Sequence, residues 1–272
     1  MTTPHDAPAP GTPSAGTPTP GTPAAGASAP AKPSADEVRR LIALGCRILA
    51  HRGLAEDILG HISLRDDDGT LHIRCRGPRE RGLLFTDPGD VWRVGLDGDT
   101  DLPDGYRVPN ELPIHREVLR ARPDAQAVVH IHPPNVVAAD LAGLTLRPIV
   151  GAYNIPAMRM ALDGIPVYPR GVLITRPDLG REVATALAER PVCILRGHGI
   201  VAIGETVQQA VVRALTVESL AKMTLAASGH RTPPVLPEAD IAELPDLGSA
   251  FNDETVWRSH LARLEHAGLG LD

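Results

Sequence analysis

Ala127-Val128-Val129-His130-Ile131-His132-Pro133-Pro134 is the stretch on which the fold turns. A short run rich in β-branched residues, halted by two prolines that cannot donate to a sheet ladder, reads as a strand and its end. Side chains alternate between faces along a strand, so His130 and His132 project from the same face, close enough to share one ion. That spacing also suits the ordinary half-buried polar face of a strand. The pair alone does not choose between the two readings.

The segments on either side tilt the choice. Upstream, Asn110 is a good helix N-cap, Pro113 fits a first turn, and Ile114, Val118 and Leu119 recur on a helical period until Arg122-Pro123 stops them. Glu111 therefore opens the helix that leads into the His130 strand, and a short connection can bring its carboxylate to the same edge. Downstream, the apolar runs Pro191 to Arg196 and Ile200 to Ile203 flank Gly197-His198-Gly199. The missing Cβ atoms there allow a tight turn and leave room for a ligand. Three imidazoles and one carboxylate can hold a divalent first-row metal with positions open to a substrate, as Lewis-acid catalysis requires. His130, His132, His198 and Glu111 are the expected metal set, with Glu111 also the candidate acid/base.

Around this centre the chain alternates helices and strands. Ser34-Ala35-Asp36-Glu37 reads as a capping box, followed by Leu41, Leu44, Gly45 and Ile48 on a helical period and by Gly53 as terminator. Strands are expected at Ile62 to Arg65, Leu71 to Arg74 and Leu83 to Phe85, a short helix at Asn135 to Leu141, and a long one capped by Thr206 and Gln209 that ends near Ala227. Residues 1–33, almost wholly Ala, Pro, Gly, Thr and Ser with Gly-Thr-Pro repeated, have nothing to bury and are expected to form a disordered tail. Residues 34–272 are expected to form one catalytic domain.

Composition agrees. In 272 residues, 43% are hydrophobic but only 3% aromatic, so the core must be aliphatic, which suits a layered α/β or α+β fold. A net charge of -6 with scattered arginines gives no footprint for nucleic acid, so no nucleic-acid partner is expected. The three cysteines, Cys46, Cys75 and Cys193, lack any C-x-x-C pairing and read as buried thiols. The first residues lack the basic and apolar regions of a signal peptide, and no apolar run is long enough to span a bilayer. The expectation is a cytoplasmic protein with no membrane partner.

Gly60-His61-Ile62-Ser63, Asn110-Glu111-Leu112-Pro113-Ile114-His115, Arg122 through His132 and Gly197-His198-Gly199-Ile200-Val201-Ala202 occur in the order that marks the class II aldolase/adducin family. The resemblance covers roughly Ser34 to His230. It implies a three-layer α/β/α sandwich around a mainly antiparallel central sheet, a homotetramer, and zinc or manganese on the positions matching His130, His132 and His198; by ligand chemistry alone, three imidazoles and a carboxylate also accept iron or cobalt. It implies acid/base duty and occasional ligation for Glu111. Adducin-like members without catalysis usually lack these ligands, and all are present here.

Substrate class is read from departures. Sugar-phosphate members commonly carry Gly-Asn-x-Ser and a Ser-Ser before the glutamate, whereas this chain has His61 and Pro109-Asn110 at those places. It offers instead Arg74-Cys75-Arg76-Gly77-Pro78-Arg79-Glu80-Arg81-Gly82, which reads equally as a solvated turn or ion-pair network and as a fork for a substrate carboxylate through Arg79 or Arg81. The run from Arg79 to Thr86 resembles the family's hydroxyaromatic-acid decarboxylase branch, the 3,4-dihydroxyphthalate type. The leading expectation is therefore a metal-dependent carbon-carbon lyase that decarboxylates a small hydroxylated aromatic carboxylate. Arg79, Arg81, Thr86 and Asn110 are its expected substrate contacts, and His61 a second proton donor or carboxylate contact. His115, one turn beyond Glu111, reads as a supporting partner, not a ligand. An aldolase or epimerase on a small hydroxycarbonyl or sugar, an iron-dependent oxygenase and a non-catalytic adducin-like interaction module are the alternatives.

Overall fold

A computed structural model describes residues 33–66, 68–98, 100–229 and 231–271. The expected disordered tail lies outside the described residues, apart from Pro33. Helix α1 (Ala35–His51) begins with the capping box expected from the sequence: the Glu37 N–H donates to the Ser34 hydroxyl, and the Glu37 carboxylate accepts from the Ser34 N–H at 2.6 Å. Strands β1 (His61–Arg65), β2 (Thr70–Arg74) and β3 (Val91–Gly95) follow, then α2 (Leu112–Ala121), β4 (Ala127–Ile131), α3 (Pro134–Leu141) and α4 (Ile155–Ala161). The chain continues through β5 (Val167–Tyr168), α5 (Pro177–Leu187), β6 (Val192–Leu195), β7 (Gly199–Gly204), α6 (Val207–Ala227), α7 (Glu238–Glu243) and α8 (Val256–His266).

The seven strands form one sheet in the order β3-β2-β1-β4-β7-β6-β5, and only the β5–β6 pair is parallel. Alternation along the central strands sends Ile62, Val129, Ile131, Ile200 and Ala202 into a core shared with α1, α3, α4, α6 and α8. Val128, Val201, Ile203, Cys193 and Leu195 face the other way, into a core with α2 and α5. Helices thus cover both faces, and the expected α/β/α sandwich with a mainly antiparallel sheet is what the chain forms. All three cysteines are free and buried. No described helix is long and apolar enough to cross a membrane.

Two local expectations are corrected. Leu83–Phe85 is a single 3-10 turn, not a strand. Gly82 enters it at φ +96° and the Thr86 hydroxyl donates back to the Leu83 carbonyl at 2.8 Å, so the run curls before it can pair. The strand comes later, as β3, which pairs with β2 from Thr70↔Gly95 to Arg74↔Val91. The N-cap of α2 is Glu111, not Asn110, and it makes no side-chain capping bond because its carboxylate is turned to other partners.

Candidate metal centre

The sheet register builds the centre. His130 lies opposite His61 on β1 and opposite Val201 on β7, so it stands mid-sheet, with no exposed surface. Its Nδ1 donates to the Ile200 carbonyl at 2.9 Å, which leaves Nε2 as the lone-pair nitrogen. His132 falls just beyond the end of β4, yet its Nε2 comes within 3.1 Å of His130 Nε2. His198 occupies the turn between β6 and β7. Gly197 holds that turn at φ +57°, and its N–H donates at 2.7 Å to the Asp140 carboxylate of α3.

Glu111 completes the group from the start of α2. One carboxylate oxygen, Oε1, accepts from the Ile174 N–H at 2.9 Å, and the other, Oε2, lies 3.1 Å from His130 Nε2 and 3.5 Å from His198 Nε2. One donor atom from each of Glu111, His130, His132 and His198 lies within 4.8 Å of the others. Donors set tetrahedrally about 2.0–2.2 Å from an ion are roughly 3.3–3.6 Å apart, so side chains this close need only small adjustments to ligate. The Nε2 atoms of His132 and His130 face each other at 3.1 Å, and those of His130 and His198 face the same Glu111 oxygen. A cation satisfies such a set better than any hydrogen bond the imidazoles can make among themselves.

The local electrostatics favour the ligating forms of His132 and Glu111. Burial, then the neighbouring His130 and His198, pushes His132 down to about 3, and burial with His130 does the same to His115. His61 is driven well below its ordinary value by burial and by His115. Burial works against ionisation of Glu111, but the His130 and His198 imidazoles facing Oε2 outweigh that and hold the carboxyl below the usual carboxylate range. Neutral imidazoles beside an ionised carboxylate are the forms a metal takes as ligands.

Two supports carried no local sequence signal. The Glu218 carboxylate of α6 accepts from the Asn135 N–H at 3.2 Å, the Asn135 side chain at 2.5 Å and the Val136 N–H at 3.1 Å, which anchors the first turn of α3 just past His132. The Ile174 backbone that steadies Glu111 lies between β5 and α5, in no recognisable motif. His115 is no ligand: its Nδ1 meets Ser63 Oγ at 2.6 Å and its Nε2 meets His61 Nδ1 at 2.7 Å. His61 lies beside the ligand group, its ring centroid 5.1 Å from that of His130.

The other expected contacts are dispersed. Arg79 and Arg81 line a cavity of about 340 Å³ together with Glu80, Phe85, Asp87 and Tyr106, none of them a member of the ligand group. Arg81 is exposed, reaches Asp87 at 3.5 Å and sits 5.5 Å over the Phe85 ring. Within the arginine-rich stretch, the buried member is Arg74, paired with Glu80 at 2.5 Å. Thr86 is buried with its hydroxyl committed to Leu83, so it has no donor left for a substrate. Asn110 is exposed next to Glu111.

Known proteins resemble the chain in both sequence and shape. Over 234 residues it is 55% identical to a 3,4-dihydroxyphthalate decarboxylase of Arthrobacter keyseri, covering 84% of this chain and 94% of that protein. Over 232 residues it is 52% identical to a 3,4-dihydroxyphthalate decarboxylase of Terrabacter sp. (strain DBF63), covering 83% and 96%. The solved structure of an aldolase II superfamily protein from Pseudomonas syringae shares the fold with a TM-score of 0.73 at 22% identity, over 88% of this chain and 96% of that one. Residues 40–225, a span that holds all four ligand candidates, match the model of the class II aldolase and adducin N-terminal domain. The sandwich, the converging histidines and these matches agree: the chain belongs to the class II aldolase and adducin family.

Proposed function

We propose that the chain is a metal-dependent carboxy-lyase that removes carbon dioxide from 3,4-dihydroxyphthalate or a closely similar hydroxylated aromatic dicarboxylate. The carrying observation is the 55% identity, over 84% of the chain, to a protein of that activity, joined to a complete set of ligand donors. His130, His132 and His198 would hold the ion, with Glu111 alongside as acid/base and occasional fourth ligand. When bound, the ion supplies a Lewis acid for the negative charge that spreads onto substrate oxygen as the carbon-carbon bond breaks. Three imidazoles with a carboxylate suit zinc and manganese alike.

The chain's own residues handle orientation and the proton. The ring carbon that loses its carboxylate must take up a proton, and Glu111 is the carboxyl within the donor set. With Oε1 held by Ile174, Oε2 is the atom that would take a proton from water and pass it on. Arg79 or Arg81 would receive the remaining carboxylate, a role supported by the cavity they line and by the planar guanidinium fork. The reading includes a cytoplasmic homotetramer. Exposed apolar side chains at Leu141, Tyr153 and Leu173 support subunit contacts, and a Cβ on Gly197 would lie 3.5 Å from Leu141, beside the His198 turn.

The test is carbon dioxide release from 3,4-dihydroxyphthalate by the purified chain, before chelation, after it, and after zinc or manganese is restored. Release that disappears and returns supports the reading. A metal-replete protein that releases none but cleaves a sugar phosphate overturns it in favour of the aldolase alternative.

A further inference from the structure

Three buried side chains outside the ligand group form an ordered chain whose direction can be worked out. Ser63 and His61 are two residues apart on β1 and share the face that meets α2, where His115 lies between them. The contacts run Ser63 Oγ to His115 Nδ1 at 2.6 Å, then His115 Nε2 to His61 Nδ1 at 2.7 Å. Ser63 and His115 have no exposed surface, and His61 is 5% exposed.

A neutral imidazole has one N–H and one lone pair, so each link fixes the next. Among the described residues the Ser63 hydroxyl has a single hydrogen-bond partner, His115. If it accepted from His115, its own hydrogen would be left buried and unmet, an arrangement that proteins avoid. It therefore donates to His115 Nδ1. His115 then carries its proton on Nε2 and donates to His61 Nδ1, which leaves the His61 proton on Nε2. That nitrogen has no hydrogen-bond partner among the described residues.

We propose that Ser63, acting through His115, holds His61 in the Nε2–H form, so that His61 offers the site a neutral hydrogen-bond donor aimed at an anionic substrate oxygen. His61 is then neither a metal ligand nor a base. Ser63 and His115 are positioning residues that act through it. The choice of a carboxylate as that oxygen's source rests on the carboxy-lyase reading; the tautomer does not.

The experiment separates the two. Nitrogen-15 NMR of the full, histidine-labelled, zinc-loaded chain distinguishes protonated from bare ring nitrogens. The expected result is a protonated Nε2 and a bare Nδ1 on both His61 and His115. A proton on His61 Nδ1 overturns the inference, whatever the enzyme's activity. In Ser63→Ala the direction is released: mixed tautomers appear at His61 and KM for 3,4-dihydroxyphthalate rises roughly tenfold, with kcat changed less and zinc content unchanged. Ser63→Thr, which keeps the hydroxyl, restores both readouts. A folded Ser63→Ala with unmixed tautomers and wild-type KM also overturns it. If Ser63→Ala does not fold, the wild-type spectrum alone decides. If the wild type releases no carbon dioxide, the carboxy-lyase reading fails while the tautomer result stands.

Discussion

Gly199→Ala is the sharpest perturbation the geometry offers, because the missing side chain is what lets two strands close around the ligands. A Cβ built on Gly199 lies 2.4 Å from the Ile131 carbonyl oxygen, 2.8 Å from His132 Cδ2 and 3.2 Å from His132 Cα. Two of these three atoms are backbone, so no flexible side chain can swing away. Ordinary van der Waals distances return only if the end of β4 and the start of β7 part by about 1 Å. That opening strains the Ile131↔Ile200 pairing and carries the His132 ring with it. Overpacking of this kind costs about 1–3 kcal/mol, which for a chain of this size is a fall in Tm of roughly 2–10 °C. Ligand distances in metal sites tolerate only about 0.2 Å, so zinc affinity should fall by about 10–100-fold. The assay is a thermal melt together with a competition titration against a chromogenic chelator. Gly89→Ala is the control, since a Cβ there has nothing within 4 Å. A Gly199→Ala protein that melts within a degree of wild type and binds zinc within twofold of it would refute the reasoning.

Two other expectations follow from the centre and from a distant helix. Glu111→Gln keeps three imidazoles and can still accept from Ile174 but loses its charge; metal content at saturating zinc should stay near wild type while carbon dioxide release falls by about 100-fold or more, and turnover within threefold of wild type would remove Glu111 from proton transfer. His260 on α8 is pushed by burial, and then by Arg52, Arg263 and His51, from 6.5 to about 4. The unfolded chain therefore binds the extra proton between those values, and stability falls as pH is lowered through that window, by at most about 1.4 kcal/mol per pH unit for this group. His260→Gln should flatten the pH dependence of denaturant midpoints between pH 6.5 and 4 by one proton, and an unchanged slope counts against the assignment.

Much of the centre was readable because its signals are local. Strand alternation marked His130, the glycines around His198 announced a tight turn, and Glu111 stood at a helix start. Even so, the reasons shifted in detail. His132 acts from just beyond the strand, and Gly199 matters for the close approach of Ile131 and His132 as much as for any turn. Ser63 was also within reach, since it shares its strand face with His61. Ile174, Asp140 and Glu218 were not, because a backbone N–H or a carboxylate that reaches across the fold leaves no periodic trace. The stretch from Leu83 to Val91 misled for a related reason: three apolar residues fit a strand or a turn equally well, and the Thr86 hydroxyl decided it by closing onto Leu83. The arginine-rich stretch mixes both of its sequence readings, with Arg74 buried against Glu80 while Arg81 stays exposed.

The bond from His130 to the Ile200 carbonyl joins positions 70 residues apart. Closing so long a loop is among the slower events of folding, and the ligands cannot meet before the β4–β7 ladder has formed. On the proposed ligation, an ion would be captured only by a chain whose central sheet is complete, and would act as a latch, not a nucleus. Its influence should fall almost wholly on the way out: stripping the ion should speed unfolding and leave the refolding rate nearly unchanged.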